Sequence, residues 1–308
     1  MHRLALESDS LRAQVDPRLG AAICDLTIRG PGNQWFPLLR RAPAEASCFN
    51  DTACYLLAPW CNRIPAGAFT FHGIARNVNV NWPDNSSIHG DVCGRPWTLL
   101  DRSPASAAFE LDARSLADRN WPWPYRARVR YETAERTLRC RLELTNESNS
   151  RMPAGIGFHP YFVRSLWDTN DRVAVLARNA GKYPLQNLVP IEPAAEDAVS
   201  RALAAGTPLD ALGELDDVFA GADGRAEITW PASGIRARFE CSPIFGHVVI
   251  YSPSAPAGGF LPYFCLEPVS MVNNAINLYA QGWHETGLVP LAPGDTLAGA
   301  WNLHVEPM

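Results

Sequence analysis

Apolar and polar residues swap at period two over short stretches of this chain, most plainly in Arg126-Ala127-Arg128-Val129-Arg130-Tyr131-Glu132 and Thr137-Leu138-Arg139-Cys140-Arg141-Leu142-Glu143-Leu144. Successive side chains of a strand point to opposite faces, so such runs predict strands with one face in a core and one in water. Comparable segments lie at 12–15, 23–28, 69–71, 107–111, 173–176, 226–230, 236–241 and 247–251, separated by Gly, Pro, Asn and Asp. That spacing predicts an antiparallel sandwich or barrel. The 26 prolines point the same way, since a residue without an N–H is expected in loops and at sheet edges rather than inside helices or central strands. The clearest helix spans 194–205, with Pro193 to open it and Gly206 to close it. No internal repeat, coiled-coil heptad or long linker interrupts the pattern. Residues 1–308 are therefore expected to form a single all-β domain, a large antiparallel β-sandwich with few short helices.

Composition narrows the partners. A hydrophobic fraction of 47% and a charged fraction of 19% are those of a soluble globular protein. The net charge of -5 leaves no basic surplus to grip phosphates, so nucleic acid is not an expected partner. No stretch is long enough to span a bilayer, and the opening Met1-His2-Arg3-Leu4-Ala5-Leu6-Glu7 turns polar too soon for a secretion signal. No membrane partner and a cytoplasmic location are the expectations, and no heptad fixes an oligomeric state. Eight scattered cysteines without a C-x-x-C pair read as free thiols packed as small hydrophobes.

Several chemistries are struck off by missing motifs: the phosphate loop, the dinucleotide-binding glycine run, the G-x-S-x-G elbow and H-E-x-x-H. Five polar segments in apolar settings remain. His159 lies in Gly155-Ile156-Gly157-Phe158-His159-Pro160-Tyr161-Phe162. An imidazole there is either hydrogen-bonded core or a proton carrier, because its pKa lies near neutrality. Asn62 and Arg63 follow Pro59-Trp60-Cys61, where Arg63 pairs with a core carboxylate or takes a ligand. His89 precedes Gly90, the setting of a polar loop residue. Asp216 and Asp217 open a strand, where capping is the ordinary explanation. Glu267 ends the hydrophobic run Tyr263-Phe264-Cys265-Leu266, and a carboxylate desolvated in that way becomes a better base near neutrality.

Taken in order, Asn62-Arg63-Ile64 with Gly67 and Phe69, His89-Gly90, His159-Pro160-Tyr161-Phe162, Asp216 and Glu267-Pro268 resemble the aldose 1-epimerase (mutarotase) family over nearly the whole chain. The likeness is to the broad family rather than its galactose-specific branch. Ala58-Pro59-Trp60-Cys61 lacks a Gly-Arg lead, and Ile88-His89-Gly90-Asp91 lacks a second glycine. The resemblance implies a galactose-mutarotase-type β-sandwich, a sugar as small-molecule partner, and no cofactor or metal. It implies Glu267 as general base on the anomeric hydroxyl and His159 as general acid on the ring oxygen, with Asn62, Arg63, His89 and Asp216 binding the substrate.

A hexose-phosphate 1-epimerase on the same fold is the alternative, with Arg76, Arg95 and Arg164 to converge on the phosphate. A non-catalytic sugar-binding protein and a glycoside hydrolase using Asp216 and Glu267 are weaker, because a His159–Glu267 proton-transfer pair suits neither. Among ten tryptophans, Trp82, Trp97, Trp121 and Trp123 are the candidates to cover a sugar face.

Overall fold

The computed structural model describes residues 3–308. Two antiparallel sheets carry the fold. A ten-stranded sheet runs in the order Leu4–Glu7, Leu11–Asp16, Ala22–Arg29, Cys54–Leu57, Gly157–Val163, Tyr263–Val269, His247–Ser252, Leu215–Ala220 and Gly181–Lys182, with Trp35–Pro37 paired to Ala22–Arg29. An eight-stranded sheet runs Thr98–Arg102, Ser106–Asp112, Tyr125–Ala134, Thr137–Asn146, Thr296–Pro307, Ile235–Cys241, Arg225–Trp230 and Ala174–Ala177. Among the described residues no helix is long and apolar enough to cross a membrane.

The two sheets meet through aromatic side chains selected by the period-two rule. Phe158 packs on Trp301 with ring centroids 5.5 Å apart, and Phe162 packs on Phe239 at 5.5 Å. Trp230 donates its indole N–H to the Val163 carbonyl at 3.0 Å, and the Tyr131 hydroxyl donates to Ala21 at 2.9 Å. Because Phe158 and Phe162 point into the sandwich, His159 and Tyr161 between them point to the opposite face. The same alternation sends Phe264 and Leu266 inward and Cys265 and Glu267 outward. The ten-stranded sheet thus has a second buried face, roofed by loops, where the polar residues collect.

Every alternating segment lies in or overlaps a strand, including Tyr125–Ala134 and Thr137–Asn146. Two expectations need correction. The helix spans Ala198–Ala204 and is opened by Asp197, whose carboxylate accepts from the Ser200 N–H at 2.7 Å. Residues 194–196 stay extended, with Ala195 bridged to Lys182. Gly206 follows its end at φ +75°, as expected.

The prolines are the second correction. Pro160 and Pro268 sit inside two central strands. The ladder between those strands pairs Gly157 with Val269 and resumes at Tyr161 with Cys265. The stretch between lacks ladder pairing, as expected where two residues without an N–H fall together. Glu267 accordingly lies within a strand and does not terminate it.

Candidate active site on the covered face of the large sheet

Strand register brings the site together. With Gly157 opposite Val269 and Tyr161 opposite Cys265, His159 falls directly across from Glu267. His159 is also opposite Tyr55, and Glu267 opposite Val249. One step along the same face, Tyr161, Cys265, Tyr251 and Asp216 form a second row across four strands. Gly157 permits the close fit beneath: a Cβ there would lie 2.9 Å from Val269 Cγ1.

The roof comes from two short paired strands, Arg63–Pro65 and Ser86–Ile88. Their ends turn sharply. Asn62 and His89 both adopt left-handed backbone, at φ 52° and 64°, and the His89 N–H donates to the Asn62 carbonyl at 3.0 Å. Asparagine and histidine are among the residue types that enter that region most readily, and the shared hydrogen bond holds both there. Gly90 follows at φ +85°, where a Cβ would fall 2.0 Å from the Ala58 carbonyl oxygen, so the residue after His89 must be glycine.

A cavity of about 180 Å³ opens between sheet and roof. All six residues expected from the sequence (Asn62, Arg63, His89, His159, Asp216, Glu267) line it. His159 Nε2 lies 3.3 Å from Glu267 Oε1. The imidazole packs against both Tyr55 at 4.5 Å and Tyr161 at 4.7 Å, and meets the His89 ring edge-on at 5.0 Å. Those contacts fix the ring plane. His159 Nδ1, His89 Nδ1 and Glu267 Oε2 are buried without a protein partner, which is uncommon for polar atoms outside functional sites.

Arg63 is held on two sides, donating from Nε to Asp84 Oδ2 at 2.7 Å and from a terminal nitrogen to Asn62 Oδ1 at 3.0 Å. Asp84 is more than a third exposed, so the core carboxylate expected for Arg63 is a rim carboxylate instead. His89 is buried, which sets aside its reading as a polar loop residue.

Electrostatics follow from this burial. Glu267 is pushed well above the usual carboxylate range, first by burial and then by Asp216, with Arg63 acting against both. His159 is pushed well below the usual imidazole range by burial, with His89 and Arg40 adding to it. Burial and Arg63 lower His89 to about 3. Burial raises Asp216, and Arg63 opposes that. Low dielectric disfavours separated charge, so both shifts run toward the neutral forms, a protonated carboxyl beside an uncharged imidazole.

His159, Glu267 and Cys265 each place a metal-type ligand atom within 4.8 Å of the others. The set consists of the contacting pair and a thiol that burial raises well above its ordinary pKa, so a cation there would have to displace both a proton and the pair's own contact.

Other expectations fare differently. Arg76, Arg95 and Arg164 do not converge on the cavity. Arg95 pairs with Asp91 at 2.8 Å and Asp118 at 3.0 Å; Arg164 donates to Leu261 and Ser252; Arg76 sits 5.7 Å from the Trp123 ring. Of the four tryptophans, Trp82 lines the cavity, whereas Trp121 and Trp123 stack with Trp60 and Phe69 in the core and Trp97 is buried. Six of the eight cysteines are buried free thiols, while Cys48 is exposed and Cys241 half-buried.

Sequence reasoning missed Arg40, Asn50, Tyr55, Tyr251 and Tyr263 in the lining, and gave Tyr161 no role. Tyr161 was within reach, being two residues from His159 on one strand. Arg40 comes from irregular chain and Asn50 from the short 3-10 turn Phe49–Asp51, neither with a periodicity to read.

Known proteins resemble this arrangement at full length. The chain is 26% identical over 284 residues to the protein YphB of Escherichia coli K12, covering 91% of this chain and 92% of that one. A galactose mutarotase-like protein from Clostridium acetobutylicum superposes with a TM-score of 0.80 at 19% identity, covering 99% of this chain and 95% of the other. A GalM/aldose epimerase homologue from C. elegans does so with a TM-score of 0.82 at 16% identity, over 99% of both chains. These likenesses place the sandwich among galactose mutarotase-like folds, and the aldose 1-epimerase family model matches residues 3–303, so the chain belongs to the aldose 1-epimerase family.

Proposed function

We propose that this protein is a cofactor-independent aldose 1-epimerase that interconverts the α and β anomers of a cyclic aldose by acid/base ring opening and reclosure. The observation that carries the reading is the 3.3 Å contact between His159 Nε2 and Glu267 Oε1. The anomeric hydroxyl and the ring oxygen of a pyranose are bonded to one carbon, so two proton-transfer groups serving both must stand close together on one cavity wall, each within hydrogen-bond reach of its oxygen. A cross-strand pair meets that demand.

In this reading Glu267 takes the proton of the anomeric hydroxyl while His159 gives one to the ring oxygen. The C1–O5 bond breaks, its electrons leave on O5, and C1 becomes an aldehyde. Rotation about C1–C2 exposes the other carbonyl face. Reclosure with both transfers reversed gives the opposite anomer and restores the pair. The proton inventory balances: one proton belongs to the pair before, during and after. Burial holds that proton on the carboxyl in the free cavity, and moving it to His159 across the existing contact changes no net charge. Arg63 helps, since its positive charge favours the carboxylate. Arg63, His89, Asn62 and Asp216 bind hydroxyls, a mixed donor and acceptor set that discriminates against misplaced ones. Trp82 supplies an aromatic face to the ring's CH side.

Polarimetry on freshly dissolved α-anomers, neutral and phosphorylated, tests the reading. At least one should reach anomeric equilibrium faster in proportion to added protein. A panel in which none exceeds its spontaneous rate would remove the assignment.

A further inference from the structure

The most unusual member of the cavity is Arg40. Its guanidinium carbon lies over the Tyr161 ring, 3.3 Å from the centroid, and 5.0 Å from that of Tyr263. Nε donates to the Thr52 carbonyl at 2.9 Å and one terminal nitrogen donates to the Asn50 carbonyl. Asn50 is itself fixed, accepting from the Tyr161 hydroxyl at 2.8 Å. The side chain is thus clamped by an aromatic face and two carbonyls, which orients the fork while leaving the second terminal nitrogen uncommitted to protein.

What it lacks is a counter-charge. Among the described residues no carboxylate oxygen lies within 4.0 Å of the Arg40 nitrogens, whereas Arg63 on the other wall is ion-paired to Asp84. The acidic residue of the lining's second row, Asp216, is three strands from Tyr161, or about 14 Å at the spacing of neighbouring strands. The cavity is therefore polarised, with an unneutralised cation at the Arg40 end and a carboxylate at the Asp216 end. His159 stacks on the same Tyr161 ring at 4.7 Å, so the cation shares an aromatic neighbour with the proton-transfer pair.

We propose that the aldose turned over here carries an anionic substituent away from its anomeric carbon, and that Arg40 is the residue that recognises it. This rests on the epimerase reading above. A planar, pre-oriented guanidinium whose competing partners are neutral carbonyls suits a carboxylate or phosphate oxygen pair, and partial desolvation strengthens that contact. The carboxylate and phosphate forms share this chemistry. A neutral sugar would leave the charge uncompensated on binding.

The test uses matched substrates with the whole protein: D-glucose against D-glucuronate and D-glucose 6-phosphate, and D-galactose against D-galacturonate. Anomer exchange is followed by NMR in wild type and in Arg40→Gln. At least one anionic sugar should show a kcat/KM tenfold or more above its neutral parent, through a lower KM that rises with ionic strength. Whether the uronates or the 6-phosphate show it identifies the anion. In Arg40→Gln the anionic-to-neutral ratio should collapse toward one. A wild-type ratio near one, or a ratio that survives the substitution, would overturn the proposal. Calorimetric titration of the same sugars into His159→Asn separates the two readings. Tighter anionic binding without any exchange by wild type would keep the anion site and remove the epimerase; equal binding would remove the anion site whatever the turnover.

Discussion

His159 and Glu267 face each other across adjacent antiparallel strands with Nε2 and Oε1 3.3 Å apart, each followed at once by a proline. The prolines withhold two ladder N–H groups at the point where the pair stands, and the polar contact is made by side chains instead. The pair and its strands are therefore one device, in which register sets separation and flanking tyrosines set ring orientation.

If that pair moves the protons, Glu267→Gln and His159→Asn should each lower kcat by about two to four orders of magnitude. Both replacements keep shape and remove no apolar packing, so urea midpoints should stay close to wild type. Arg63→Ala should raise KM, because in the proposed reading Arg63 binds hydroxyls, with a smaller loss of kcat from the positive charge withdrawn from Glu267. Near-normal turnover in Glu267→Gln on the best sugar would mean that another residue is the base.

The pH profile follows from the single shared proton. A second proton would have to enter on His159, which burial, His89 and Arg40 hold well below 6.5, so the acidic limb should fall below that value. The last proton leaves from Glu267, which burial and Asp216 hold well above 4.5, so the alkaline limb is displaced upward. The two shifts together widen the interval over which the pair holds one proton, and both limbs belong to the pair. Steady-state rates between the two limbs check this; a narrow peak would contradict it.

Much of the fold was legible because alternation survives wherever one face of a strand meets water, as in 125–134 and 137–146. It fails in Gly157–Val163, where both faces are covered and all but Val163 are buried, so the run reads as uniformly apolar and conceals that Phe158 and His159 point opposite ways. The site residues were legible as polar exceptions in such runs, together with the resemblance they carried. Arg40 was not, since only tertiary contact with Tyr161 sets it apart from its neighbour Arg41. Likewise Trp82 and Trp121 look alike in sequence, and their different fates are decided by which loop closes over the sheet.

Those two tryptophans provide a contrast. Trp121→Ala should cost about 3–5 kcal/mol of stability, because the indole is stacked on Trp60 and Phe69 in the core. Trp82→Ala should raise KM with a smaller loss of stability. Denaturant titrations beside steady-state kinetics read both; the opposite pattern would place the sugar against Trp121.

His89 makes stability depend on pH in a known direction. Its pKa is near 3 in the folded protein and 6.5 in the unfolded chain. The unfolded state takes up the proton first, so the stability from keeping this imidazole neutral is present above 6.5 and lost as pH falls toward 3. Within that window His89→Asn should flatten the fall by about 1.4 kcal/mol per pH unit. Urea midpoints of both proteins across the window measure the difference, and parallel curves would show that His89 protonates freely when folded.

The central claim is that His159 and Glu267 together open and close a sugar ring, and magnetisation-transfer NMR at anomeric equilibrium reads that step without any coupled reaction. Saturating the α-anomer H1 of the preferred sugar should attenuate the β-anomer H1 at a rate proportional to wild-type protein, and that transfer should fall to near the spontaneous level in Glu267→Gln and His159→Asn. Equal transfer by wild type and both variants, or none above background with any sugar in the panel, would contradict the account.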